Sequence, residues 1–136
     1  MPEKGAHLTR FLLICLAGAA GTGARYLVAT SMTRWAGPAF PWGTLTVNVV
    51  GSFLLGAIMV LGLEHGVIPP DLRVVLGTGL MGGFTTYSSF NHETLGFLQR
   101  RSWLFGGAYL GATVVGCLGT GALGIAAGRW LLAGRL

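Results

Sequence analysis

Charge is what this sequence has least of. Acidic and basic residues make up 10% of its 136 residues, whereas a soluble globular domain carries about 25%. So few charges cannot solvate the surface of a water-soluble domain, and the membrane class comes first. Acids are the scarcer sign: four against nine Lys and Arg, a formal net charge of +5. No Lys/Arg cluster with interleaved aromatics exists, and the basic residues stand mostly at the ends of apolar runs. That argues against nucleic acid as a partner and for anchoring at lipid headgroups. The two cysteines, Cys15 and Cys117, form neither a CxxC pair nor a metal-ligand spacing. Cys15 reads as a small apolar filler. The leading "MPEKGAHLTR" is followed by an apolar run with no clear small-residue cleavage site of the A-x-A kind, so that run is expected to stay as a membrane helix rather than leave as a signal peptide. There is no Ser/His/Asp set, no metal cluster, no phosphate loop and no internal repeat. An enzyme is therefore not expected.

What is abundant is apolar: 52% hydrophobic residues and 24 glycines, which let membrane helices approach closely. A spanning helix needs about 20 mostly apolar residues. Four candidates fit, over about 11–32, 43–63, 72–98 and 103–132, forming one membrane domain over 1–136. The connectors "RWAGPAFPW" and "EHGVIPPD" hold four of the five prolines, and "QRRS" is a tight basic turn. Trp35, Trp42, Trp103 and Trp130 fall near the predicted interfaces, as aromatic belts do. The fold expected is all-α and integral to the membrane.

Four spans put both termini on one side. Lys4, Arg10, Arg73, Arg129 and Arg135 lie there, and Arg25, Arg34, Arg100 and Arg101 lie towards the other. Five against four is almost no bias, so charge sets no orientation. The chain either inserts both ways, allowing two opposed copies to pair, or takes a fixed topology set by other details. Four short helices enclose little interior, and Gly107/Gly111 and Gly124/Gly128 are small-xxx-small pairs. An oligomer, most simply a dimer, is expected.

Polar residues within the spans need a reason, because hydrocarbon does not solvate them. Thr44, Asn48 and Ser52 recur every four residues on one helix face, and Tyr109, Thr113 and Cys117 do so on another. These stripes are either helix–helix hydrogen-bond contacts or the uncharged donors of an anion path. Arg25 lies within the first run, either snorkelling to the interface or drawing anions into a vestibule. Glu93 is the only acid inside a span, and His92 beside it reads as a polar cap or vestibule residue. Residues 82–90, "GGFTTYSSF", interrupt the third run. Tandem Gly82 and Gly83 weaken a helix, and the Thr and Ser hydroxyls that follow compete for its backbone. A break near mid-membrane exposes carbonyls able to hold a hard cation. Tyr87 and Phe90, three apart, share a face and offer positive ring edges to an anion.

"GTLTVNVVGSFLLG" (43–56), "GTGLMGGFTTYSSF" (77–90) and "GTGARYL" (21–27) closely resemble the Fluc/CrcB family of bacterial fluoride channels. The resemblance covers nearly the whole chain. It implies a dual-topology antiparallel homodimer in the bacterial inner membrane, with two pores that export fluoride passively and so relieve its toxicity. It implies a structural, untransported sodium ion at the dimer centre, held by backbone carbonyls that fall here on Gly82 and Thr85. The pore asparagine matches Asn48, the pore aromatics Tyr87 and Phe90, and the fourth-helix polar track Tyr109, Thr113 and Cys117. The vestibule arginine resembles Arg25 and the third-helix glutamate resembles Glu93; Thr44 and Ser52 accompany the path. The family usually carries Phe where Tyr87 stands and serines along the track. The alternatives are a small dual-topology exporter of cationic drugs, with Glu93 as its carboxylate, and a non-transporting helical assembly factor.

Overall fold

The computed structural model describes residues 2–133, and among them every regular element is helical. Helix α1 spans Pro2–Ala36, 35 residues, and is about 52 Å long at 1.5 Å per residue. It is longer than the expected 11–32 because nothing in "PEKGAHLTR" breaks a helix after Pro2. Its end is chemically defined: Gly37 takes φ +83° and donates its N–H to the Thr33 carbonyl at 3.0 Å, with Pro38 next. That is a left-handed glycine cap followed by a residue that cannot continue the helix.

Helix α2 covers Trp42–Leu63 and packs chiefly against α6, Trp103–Ala133. The two backbones meet at glycines. A Cβ on Gly56 would lie 2.5 Å from the Gly121 carbonyl oxygen, and one on Gly124 would collide with the Phe53 carbonyl. The pair Gly124/Gly128 is thus used inside the protomer, while Gly107 and Gly111 are exposed with open space around them. The α2–α6 pair is also stitched by the Thr120 hydroxyl, which donates to the Val49 carbonyl at 2.9 Å.

The third apolar run does not form one helix. It consists of α3 (Pro70–Val74), a π-helical segment (Val75–Met81), α4 (Gly82–Phe84), two extended residues and α5 (Tyr87–Gln99). Gly82 and Gly83, expected to unwind, stay helical; the chain leaves the helix at Thr85 and Thr86, whose ψ angles are 160° and 110°. The glycines serve packing instead. A Cβ on Gly83 would strike the Gly18 carbonyl and one on Gly21 the Leu80 carbonyl, so α1 and the 75–84 stretch touch backbone to backbone.

Among the described residues, three helices are long and apolar enough to cross a membrane: Gly5–Ala36, Trp42–Leu63 and Trp103–Ala133. The small buried core has two parts. Val47, Met81 and Phe84 pack at the break, and Phe90, Phe97 and Tyr109 pack beyond it with Phe40 and Leu45. Large apolar side chains such as Leu16, Val115 and Leu118 face outward, the reverse of a water-soluble fold. At the end that carries the termini, Arg10 pairs with Asp71 at 3.2 Å and Arg129 grips Glu64 with two bonds of 2.9 and 2.7 Å. The Arg129 hydrogen bond holds the Glu64 carboxyl below its usual range.

Candidate functional site

The helix break is built by a side chain of another helix. In an unbroken helix the Thr86 N–H would bond the Gly82 carbonyl. Here it donates to Asn48 Oδ1 at 2.7 Å, while Asn48 Nδ2 donates to the Thr86 carbonyl at 3.0 Å. The Asn48 amide thus imitates a neighbouring strand and satisfies both polar groups of Thr86 where water is scarce. The Thr86 hydroxyl accepts from the Ser89 N–H at 3.2 Å, capping α5. Thr85 closes the other side: its N–H and its hydroxyl both donate to the Met81 carbonyl at 2.9 Å.

Two carbonyls of the break remain distinctive. Gly82, exposed on the surface, has lost Thr86 as its helical donor. The Thr85 carbonyl accepts from the partly buried Arg25 guanidinium at 3.3 Å. Arg25 therefore reaches inward from α1 to the break rather than outward to an interface.

Beside the break lies an open chamber of about 410 Å³. Asn48, Ser52, Thr85, Tyr87, Phe90, Thr113 and Cys117 line it together with Leu55, Val114 and Leu118. The α2 and α6 stripes converge here because the two helices cross at their glycines. No charged side chain lines it. Thr113 is 6% exposed and its Oγ1 has no hydrogen-bond partner. A buried hydroxyl without a partner is uncommon, and this one lies within the chamber wall. Phe90 is buried and Tyr87 is 77% exposed; their rings meet edge to face with centroids 5.7 Å apart.

Tyr109 and Thr44 do not join that chamber. Tyr109 is fully buried and its hydroxyl donates to Glu93 Oε2 at 2.6 Å; the Thr44 hydroxyl donates to Oε1 at 2.8 Å. Glu93 is thereby held by two hydroxyls from two other helices, with Phe40 edge-on to the Tyr109 ring at 5.4 Å. This network borders a second opening of about 340 Å³, lined by Phe40, His92, Glu93, Phe97 and Arg100 among others. Arg34 and Glu93 line an adjoining cleft. Arg34, His92 and Arg100 are all exposed there, giving this mouth a basic rim.

The candidate residues therefore fall into three places. Asn48, Ser52, Thr85, Tyr87, Phe90, Thr113 and Cys117 meet in the chamber; Thr44, Tyr109 and Glu93 meet at the mouth; Arg25 and Gly82 stand at the break. Sequence reasoning missed Thr86, whose signal was a threonine three residues ahead of Ser89, as in a helix N-cap. It also missed Arg34 and Arg100 as mouth residues, since they read only as helix-end anchors. Among the described residues no group of three or more His, Cys, Asp or Glu could hold a metal ion. Backbone carbonyls are the remaining candidates.

A family model described as "CrcB-like protein, Camphor Resistance (CrcB)" matches residues 12–125. The chain is 53% identical over 124 residues to the "Fluoride-specific ion channel FluC" of Anaeromyxobacter sp. (strain K), covering 91% of this chain and 98% of that protein. It is 50% identical over 127 residues to the protein of the same name from Sorangium cellulosum (strain So ce56), covering 93% and 100%. Against that of Geobacter sulfurreducens (strain ATCC 51573 / DSM 12127 / PCA) it is 45% identical over 125 residues, covering 91% and 100%.

Proposed function

The chain belongs to the CrcB-like family, and on that premise we propose that it is a fluoride-selective channel of the bacterial inner membrane. It exports the anion passively as an antiparallel dual-topology homodimer, with the broken 70–99 segment as a fourth crossing of each protomer. The observation that carries this reading is the chamber lined by Asn48, Ser52, Thr113, Tyr87 and Phe90 with no charged side chain.

Fluoride is small and strongly hydrated, so a path must replace its water with close donors. The chain supplies them without full charge. Two hydroxyl-bearing residues, Ser52 and Thr113, line the chamber. Asn48 has one amide hydrogen left after gripping Thr86. The edges of Phe90 and Tyr87 are positive and exclude cations. A charged donor would hold the anion too tightly; several weak sites let it leave. Larger chloride gains less from such compact sites. At the mouth, Arg34 and Arg100 raise the local anion concentration, while Thr44 and Tyr109 hold Glu93 in place.

The break also suits a structural sodium ion. The carbonyl of Gly82, an exposed residue, is without its helical donor and is a hard oxygen ligand of the kind such a cation takes. The Thr85 carbonyl, shared with Arg25, would be the second ligand, and a twofold mate would supply the same pair. When bound, the ion supplies positive charge near both paths and a bridge between protomers. The exporter alternative requires a carboxylate open to a cationic drug; both Glu93 oxygens accept hydrogen bonds from within the protomer.

The biological sense is acid trapping. Neutral HF crosses the bilayer and ionises at cytoplasmic pH, and the trapped anion needs an exit. The test is efflux from liposomes loaded with potassium fluoride, with valinomycin to clear the counter-charge and chloride-loaded liposomes beside them. Fast fluoride loss with chloride retained is the expected result. Retention of both anions by the folded dimer overturns the reading.

A further inference from the structure

We propose that the mouth opening between the 37–41 connector and α5 is a phosphate site, where the Arg100 guanidinium and His92 hold the phosphate group of a lipid headgroup or of an anion in solution. The opening has a volume of about 340 Å³, and Thr33, His92, Gly96 and Arg100 are in its wall. His92, Gly96 and Arg100 follow at intervals of four on α5 and so share a helix face. Gly96 leaves a notch between the two donors. A Cβ built there meets Arg100 Nη2 at 3.6 Å, so the guanidinium lies back over Gly96, in the direction of His92. A planar guanidinium takes phosphate oxygens by two parallel hydrogen bonds, and His92 adds a ring N–H on the same face.

Arg100 is held in place before any ligand arrives. Its guanidinium carbon stands 5.6 Å from the centre of the Phe97 ring, and Phe97 is buried in the core. The turn that carries it is tied down. The Arg100, Arg101 and Ser102 N–H groups donate to the Gly96, Leu98 and Phe97 carbonyls at 3.3, 3.0 and 2.9 Å. Arg101 takes φ +56° within that turn. A donor already fixed loses less freedom on binding than a mobile one.

The two ends of the molecule differ in how their cations are matched. At the end with the termini, Arg10 pairs with Asp71 and Arg129 with Glu64. At the mouth end, Arg34, His92, Arg100 and Arg101 have no ion-pair partner among the described residues. Glu93, the one acid in the wall, directs both oxygens to the Thr44 and Tyr109 hydroxyls. This end therefore lacks an anion. Its depth suits a lipid phosphate: Trp35, Trp42 and Trp103, 84%, 43% and 66% exposed, stand at the same end, and interfacial tryptophans sit at headgroup level.

The experiment uses the full chain in detergent, beside Arg100→Gln and, as a control that removes one charge at the far end, Arg129→Gln. In one arm inorganic phosphate is titrated and followed by its phosphorus NMR linewidth. In the other, micelles carry phosphatidylglycerol or, without the phosphate, diacylglycerol, and native mass spectrometry counts the lipid retained. Wild type and Arg129→Gln should bind inorganic phosphate, or retain phosphatidylglycerol over diacylglycerol. Arg100→Gln should bind about tenfold more weakly, the size of one lost charge-assisted contact. A response in the first arm alone assigns the site to free phosphate, in the second alone to a lipid headgroup, and in both to either source. No response in either arm overturns the proposal, as does equal binding by wild type and Arg100→Gln, or an equal loss in Arg129→Gln. If Arg100→Gln does not fold, Gly96→Leu, which fills the notch and keeps both donors, should show the same loss, and its absence overturns the proposal. Neither arm contains fluoride, so the outcome is separate from that of the efflux test.

Discussion

Asn48 on α2 holds Thr86 by both of its backbone polar groups, accepting from the N–H at 2.7 Å and donating to the carbonyl at 3.0 Å. One side chain of the chamber wall therefore satisfies both backbone groups at the helix break and has one amide hydrogen left over. The proposed function gives this residue a second role in conduction, which Asn48 substitutions separate from the structural one.

Asn48→Ala should leave the Thr86 N–H and carbonyl without partners. Each buried group left unsatisfied costs about 1–3 kcal/mol, so the thermal midpoint in detergent should drop clearly and efflux with it. Asn48→Asp keeps the acceptor for the Thr86 N–H but sets an oxygen against the Thr86 carbonyl and a negative charge at the path. It should fold better than Asn48→Ala and still pass no fluoride. Equal efflux from Asn48→Asp and wild type would remove Asn48 from the path.

Thr113→Val removes a hydroxyl that bonds nothing in the protein. Replacing an unpaired buried polar group by an isosteric apolar one is neutral or stabilising. The melting midpoint should hold or rise, while fluoride efflux falls, as expected when a donor on a multi-site path is lost. Thr113→Ser should conduct. A variant that melts lower and conducts normally would make Thr113 a packing residue only.

Tyr87 is 77% exposed, and among the described residues its hydroxyl makes no hydrogen bond that Phe would lose. Tyr87→Phe should fold as wild type and conduct at least as fast, because the positive ring edge against Phe90 stays and a group that narrows the path goes. Slower efflux with unchanged stability would show that the hydroxyl itself is a donor to the ion.

Gly83→Ala drives a methyl group into the Gly18 carbonyl, where two backbones already touch. Overpacking of this kind costs about 1–3 kcal/mol, and a lower melting midpoint should report it. Gly107→Ala, with nothing within 4 Å of its Cβ, should leave the midpoint of the isolated protomer unchanged. If Gly83→Ala melts as wild type, the close α1 contact is not what fixes the 75–84 stretch.

The break illustrates what was legible and what was not. The oddity of "GGFTTYSSF" marks an interruption, but the glycines that suggested its position are helical, and the chain unwinds after them at Thr85. Local propensity named the weak point; the Asn48 amide and the α1 backbone chose between neighbouring residues. The polar stripes were visible as i, i+4 spacing, but not their division. Tyr109 shares a face with Thr113 along α6 and yet turns its hydroxyl to Glu93, because the carboxylate is the strongest acceptor within reach.

By itself the sequence determined that the chain is helical and apolar, where its connectors lie, and that its polar residues form two uncharged stripes with one interrupted run between them. Those properties follow from composition and periodicity, which act within a single segment. The tertiary structure decided which of those polar groups are already satisfied. Asn48 is committed to Thr86, Arg25 to the Thr85 carbonyl, and Thr44 and Tyr109 to Glu93, while Thr113 is committed to nothing. A hydrogen bond between helices depends on where two backbones cross, and that crossing is set by glycine contacts between segments far apart in the chain.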